Sequence, residues 1–142
     1  MSLSRPEAIT KILSRNDTGE TGGHMAGILI PKNPDILTFF PLLNSKKKNP
    51  RHHITFRDEF GESRLFAFIY YNNSFFGGTR NEYRLTRMTA FIRDNNLHAG
   101  DIITLHRDEN AYYSITCSRL GKPGRQRGGK LLLGSTWKIV KI

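Results

Sequence analysis

Arg80, Glu82 and Arg84 occupy every second position of the stretch Phe76-Gly77-Gly78-Thr79-Arg80-Asn81-Glu82-Tyr83-Arg84-Leu85-Thr86-Arg87. Alternate side chains of an extended segment share a face, so the three would project as a comb of cation, anion, cation. A surface that only grips phosphates has no use for Glu82, whose carboxylate repels the polyanion. Base edges suit all three groups. An arginine can hold guanine O6 and N7 bidentately in the major groove, and a carboxylate can accept from cytosine N4. The same spacing also fits a solvated Arg-Glu-Arg ladder on an edge strand, and the spacing alone leaves both readings open.

Charge favours a polyanionic partner. The 142 residues hold 22 Lys and Arg against 12 Asp and Glu, a formal net charge of +10, which is the electrostatic footprint of a nucleic-acid binder. Residues 119–130 contain Arg119, Lys122, Arg125, Arg127 and Lys130 among glycines and without an acid, a composition suited to clamping phosphates. Lys46, Lys47 and Lys48 form a second basic run, readable as a phosphate contact or as an ordinary solvated loop. Lys11, Arg15, Asn16 and Asp17 border a long polar loop at 16–23, and long loops in compact domains are often functional.

Other chemistries find little support. Cys117 is the only cysteine, so no disulfide can form within the chain, and a reducing compartment, the cytoplasm, is expected. The five histidines are scattered without metal-ligand spacing, and neither a metal nor a cofactor is expected. Asp58, Glu59 and Glu62 cluster on a turn without a neighbouring lysine, so no nuclease-type catalytic set assembles. There is no apolar run long enough to span a membrane, and residues 1–6 lack the apolar core of a signal peptide. A membrane partner is therefore not expected.

The elements that must hold these residues read as many short strands. Residues 8–13 fit strand or helix, and 25–30 a buried strand stopped by Pro31. Residues 35–43 suggest a short helix interrupted near Pro41. Residues 53–57 and 64–71 form a strand pair about a turn, and 72–78 a loop with exposed aromatics, Phe75 and Phe76. Residues 89–96 have helical spacing. Strands follow from Ile102, around a turn at 108–110 to Tyr112–Cys117, and again at 131–133 and 137–142. The pattern implies a mostly β, open barrel with one or two short helices in a single domain over 1–142.

Two polar segments resemble the N-terminal DNA-binding effector domain of the EcoRII restriction endonuclease family. The first is Leu13-Ser14-x-Asn16-Asp17-Thr18-Gly19-x-Thr21-Gly22-Gly23-His24, ending at Ile30-Pro31. The second is Tyr70-Tyr71-Asn72, followed by Phe76-Gly77-x-Thr79-Arg80-Asn81-Glu82-x-Arg84-x-Thr86-Arg87. A third segment, Phe91-Ile92-Arg93-Asp94-Asn95-Asn96-Leu97 with Gly100-Asp101, is similar to plant auxin-response-type DNA-binding domains of the same fold. The chain departs from the EcoRII pattern at Gly78 and Tyr83, where that family carries lysine.

The resemblance implies a seven-stranded pseudobarrel that grips double-stranded DNA with two arms in the major groove. The first arm, 11–24, would contribute Lys11, Arg15, Asn16, Asp17, Thr18 and His24. The second, 78–87, would contribute Arg80, Asn81, Glu82, Arg84 and Arg87, with Arg125 and Arg127 as phosphate contacts. The family target is CCWGG, whose outer positions are all C or G, which fits the base-reading chemistry of the comb. The implied role is that of a target-recognition or allosteric effector domain of a type II restriction endonuclease in a bacterial or archaeal cell. The nuclease domain would lie elsewhere in the parent chain, and this chain would not itself be an enzyme. A self-contained nuclease and an RNA-binding protein are the competing readings.

Overall fold

A computed structural model describes residues 6–22, 27–119 and 136–140. Eight strands form one sheet: β1 (Ala8–Ile12), β2 (Ile28–Ile30), β3 (Arg51–Arg57), β4 (Ser63–Tyr71), β5 (Glu82–Thr86), β6 (Ile102–Arg107), β7 (Tyr113–Ser118) and β8 (Trp137–Ile139). Three short helices intervene, α1 (Arg15–Thr18), α2 (Pro34–Leu37) and α3 (Thr89–Asp94), with a 3-10 turn at Asn73–Phe76. The strand order is β2-β5-β4-β3-β7-β6-β1-β8. Among the described residues only the β3–β7 pairing is parallel, and it spans two residue pairs. The sheet curls until its two edges meet, where the Trp137 indole Nε1 donates to Leu29 O at 3.0 Å. This side-chain bond closes β8 onto β2 where no ladder does.

Alternation explains which faces close on the core. Ile54 and Phe56 of β3 point inward between exposed neighbours. Ile103 and Leu105 point inward on β6 between half-buried neighbours. On β5, Leu85 is fully buried while Glu82 and Arg84 take the other face. The central strand β4 is buried continuously from Phe66 to Tyr70, as expected of a strand covered on both sides. Phe40 stacks on Phe68 at 4.5 Å, and Phe66 meets Phe91 of α3 edge-on at 6.0 Å. Aromatic burial of this kind dominates core energetics.

The mostly β pseudobarrel is the architecture read from the sequence, with eight described strands where seven were implied and three helices where one or two were expected. Of residues 8–13, for which strand and helix were both open, Ala8–Ile12 form strand. The loop expected at 16–23 is corrected: its first residues belong to α1. Ser14 caps this helix, its Oγ accepting from Asp17 N–H at 3.1 Å while Asp17 Oδ2 accepts from Ser14 N–H at 2.9 Å. This reciprocal capping box satisfies two otherwise orphaned donors. The helix expected over 35–43 is confined to Pro34–Leu37. The strand expected at 131–133, and His24, Arg125 and Arg127, lie outside the described residues.

Candidate nucleic-acid interface

The second arm is built around one carboxylate oxygen. Glu82 Oε2 accepts from Arg80 Nη2 at 2.7 Å and from Arg84 Nε at 2.6 Å. The two guanidiniums, Arg80 first, hold the Glu82 carboxyl below its ordinary range despite partial burial. Arg80 also lies over the Tyr71 ring at 3.9 Å, a cation–π contact that fixes its plane. Its backbone N–H donates to Asn73 Oδ1 at 2.7 Å. Both bonds fall on Oε2, and the Glu82 side chain as a whole is 30% exposed. Arg80 keeps a 41% exposed side chain, against 18% for Arg84.

Arg84 is the link between the arms. Its Nη1 donates to Gly27 O at 2.9 Å, where the first arm rejoins β2. Gly27 has φ +93, and an added Cβ would sit 2.6 Å from Leu85 O. Glycine is required there by both conformation and space. A cleft beside this joint is lined by residues of both predicted arms, Ser14, Asn16 and Asp17 from the first and Arg84 from the second, together with Trp137. The structure therefore brings the predicted first and second arms together at the barrel seam.

Within the first arm the predicted residues separate. Lys11 is 7% exposed and pairs with Asp17 at 3.0 Å. Its Nζ also donates to Thr136 Oγ1 at 2.7 Å and Ile12 O at 3.0 Å. Arg15 and Asn16 are exposed. Thr18 Oγ1 turns back to donate to Ser14 O and Arg15 O. In the second arm, Asn81 is exposed and its Oδ1 accepts from Tyr70 OH at 2.7 Å. Arg87 is exposed with φ +67, an uncommon conformation for a side-chain-bearing residue.

The two departures from the EcoRII pattern have local reasons. A Cβ at Gly78 would lie 2.6 Å from the Asn73 side chain, so the turn that seats Arg80 is built around glycine. Tyr83 stacks on Tyr70 at 4.2 Å with planes 5° apart, extending the core aromatic row. Asn72, quoted in the family resemblance but given no role there, is fully buried at the root of the second arm; its partners lie more than twenty residues away, and no local pattern marks them.

Among the described residues no cluster of His, Cys, Asp or Glu could hold a metal, and no helix is long and apolar enough to cross a membrane. Asp58 is occupied by its own turn. Burial would raise its pKa, but bonds from Glu62 N–H, the Arg64 side chain and Phe60 N–H lower it overall. Burial, reinforced by Glu59, pushes the Cys117 thiol up, away from nucleophilic thiolate.

The sequence profile of the restriction endonuclease EcoRII N-terminal family matches residues 4–110, spanning both arms. The chain belongs to this family. It is 43% identical over 81 residues to the type II restriction enzyme EcoRII of Escherichia coli, covering 54% of this chain and 20% of that protein. It is 30% identical over 110 residues to the B3 domain-containing transcription factor NGA2 of Arabidopsis thaliana, covering 75% of this chain and 33% of that one. This EcoRII N-terminal-family chain thus spans about a fifth to a third of these relatives.

Among solved structures, the Arabidopsis FUS3–DNA complex matches with a TM-score of 0.60 at 21% identity, covering 78% of this chain and 94% of the other. The UbaLAI restriction endonuclease B3 domain with cognate DNA also scores 0.60, at 20% identity and 99% and 90% coverage. These likenesses establish the B3-type pseudobarrel as the fold of this family member.

Proposed function

We propose that this chain binds double-stranded DNA sequence-specifically, placing its two arms in the major groove, as the target-recognition and effector domain of a type II restriction endonuclease. The observation that carries the reading is the Glu82 carboxylate. One oxygen is shared by two arginines, and the partly exposed group can also accept from a cytosine amino group. Arg80, the more exposed cation, donates to guanine. Arg84, already bonded through Nε and Nη1, presents Nη2 and sets the spacing between the arms. Arg15, Asn16 and Thr18 form the reading edge of the first arm, to which His24 is also assigned. Lys11 and Asp17 brace that edge from below, and Asn81 and Arg87 flank the comb. Arg125 and Arg127 add phosphate contacts, which position the domain without specifying sequence.

The target that fits this set is CCWGG or a close relative, by family membership and by the match of Arg and Glu to G and C edges. Cleavage belongs to a nuclease domain of the parent protein, in the cytoplasm of a bacterial or archaeal cell. A competing reading rests on one observation: Phe75 and Phe76 are 67% and 45% exposed on the turn before the second arm, and exposed rings can stack single-stranded bases. Competition of a labelled CCWGG duplex with unlabelled cognate duplex, scrambled duplex and single-stranded RNA separates the readings. Cognate duplex should compete best. Stronger competition by the RNA would establish the alternative.

A further inference from the structure

Asn72 ties the basic run at 46–48 to the DNA-reading arm. Its side chain is fully buried, and every polar atom of its amide is used. Nδ2 donates to Ser45 O at 3.1 Å and Lys47 O at 2.9 Å, and Oδ1 accepts from Asn49 N–H at 2.7 Å. Asn49 returns the bond, its Oδ1 accepting from Asn72 N–H at 3.2 Å. Asn49 itself has φ +50, a strained conformation held by its surroundings. The loop is also closed internally, with Lys46 N–H donating to Asn44 Oδ1 and Lys47 N–H to Asn44 O, both at 3.0 Å. Tyr70 N–H donates to Pro50 O at 3.0 Å, binding the loop's exit to β4.

A buried, fully satisfied amide of this kind is costly to disrupt, and here it fixes a loop whose side chains do not pack. Lys46, Lys47 and Lys48 are all exposed. No acid occurs from Ile36 to Arg57, so nothing within the segment neutralises them. The next residue, Asn73, accepts the backbone N–H of Arg80, and Arg80 O accepts from Ser74 N–H at 2.9 Å. Two adjacent asparagines therefore connect the lysine loop to the comb: Asn72 grips the loop and Asn73 seats Arg80. A merely solvated loop would not need such a fixed relation to the comb.

From this geometry we propose that the Lys46–Lys48 loop is a third DNA-contacting element, holding backbone phosphates beside the bases read by Arg80 and Glu82, with Asn72 as its positioning residue. The proposal rests on the duplex-binding reading above. Each phosphate contact contributes roughly −0.9 to the slope of log affinity against log salt. The triple variant Lys46→Ala/Lys47→Ala/Lys48→Ala should thus bind with a slope shallower by about 2–3, with its ratio of cognate to scrambled affinity unchanged.

Uncharged methylphosphonates placed singly along the duplex give the second readout. A contiguous block of positions should weaken the wild type and leave the triple variant unaffected. Asn72→Ser, with all three lysines intact, should move the slope toward that of the triple variant. Thermal melting of each variant guards against simple unfolding, and because the lysines are exposed, the triple variant should melt as the wild type does. An unchanged slope and phosphate map in the folded triple variant would overturn the third contact. Failure of the wild type to bind any duplex would instead bring down the duplex-binding reading, and this inference with it.

Discussion

Replacing Glu82 by Gln separates a base reader from an internal brace. In the structure Oε2 receives both arginine bonds, at 2.7 and 2.6 Å. The Gln amide keeps the shape and one acceptor oxygen but loses the charge, so both arginine bonds lose their ionic component. The pairs are partly exposed, with side-chain accessibilities of 41% and 18% for the arginines and 30% for Glu82. The stability cost should therefore stay near about 1 kcal/mol or less per pair. Removing a negative charge from a chain of +10 should hold or raise affinity for random DNA.

Discrimination should suffer far more. A carboxylate can only accept, whereas an amide can turn either its oxygen or its NH₂ toward the base. Losing one specific contact costs about 1–3 kcal/mol, or roughly 5- to 150-fold in the ratio between right and wrong base. The assay is a set of equilibrium titrations of wild type and variant against CCWGG duplex and each single C·G substitution, at fixed salt. A drop confined to one or two positions is expected. An unchanged ratio at every position would refute base reading by Glu82 and leave it as a brace for Arg80 and Arg84.

Four further outcomes can be measured. The slope of log affinity against log salt should be roughly −5 to −9, for about 6–10 phosphate contacts, and Arg125→Gln with Arg127→Gln should weaken cognate and random duplex about equally. Gly27→Ala should lower both stability and specificity, because the left-handed φ alone costs about 1–2 kcal/mol and the new Cβ meets Leu85 O at the Arg84 joint; normal melting and normal discrimination would contradict it. The Asp58 carboxyl has a folded pKa below its ordinary 3.8, so its stabilisation is complete above that value and is lost as pH falls through the folded pKa. Asp58→Asn should accordingly be less stable at neutral pH but lose less stability on acidification, as read from urea midpoints across the acid range.

Much of this frame was legible because local signals and tertiary structure agree. The alternation around Ile54 and Phe56, the helical spacing at Phe91 and Ile92, and the two-residue period of Arg80, Glu82 and Arg84 all survive folding. The α1 turn was not read from the sequence: Ser14-x-x-Asp17 has the spacing of a capping box, but the surrounding glycines and polar residues made the segment look like a loop. Other features depend on partners far away in sequence. Lys11 reads as a free cation until Asp17 and Thr136 enclose it. Trp137 reads as a strand residue until its indole meets Leu29 O across the seam. The Asn72 clamp joins residues more than twenty positions apart, and no periodicity encodes it.

The central claim, sequence-specific recognition of duplex DNA, is tested most directly by selection from a randomised duplex pool at moderate salt, followed by sequencing of the bound fraction. The account predicts enrichment of a short motif with C and G at its outer positions, CCWGG or a close relative, and loss of that enrichment for a variant lacking Arg80 and Glu82. A bound fraction indistinguishable from the input pool would contradict it.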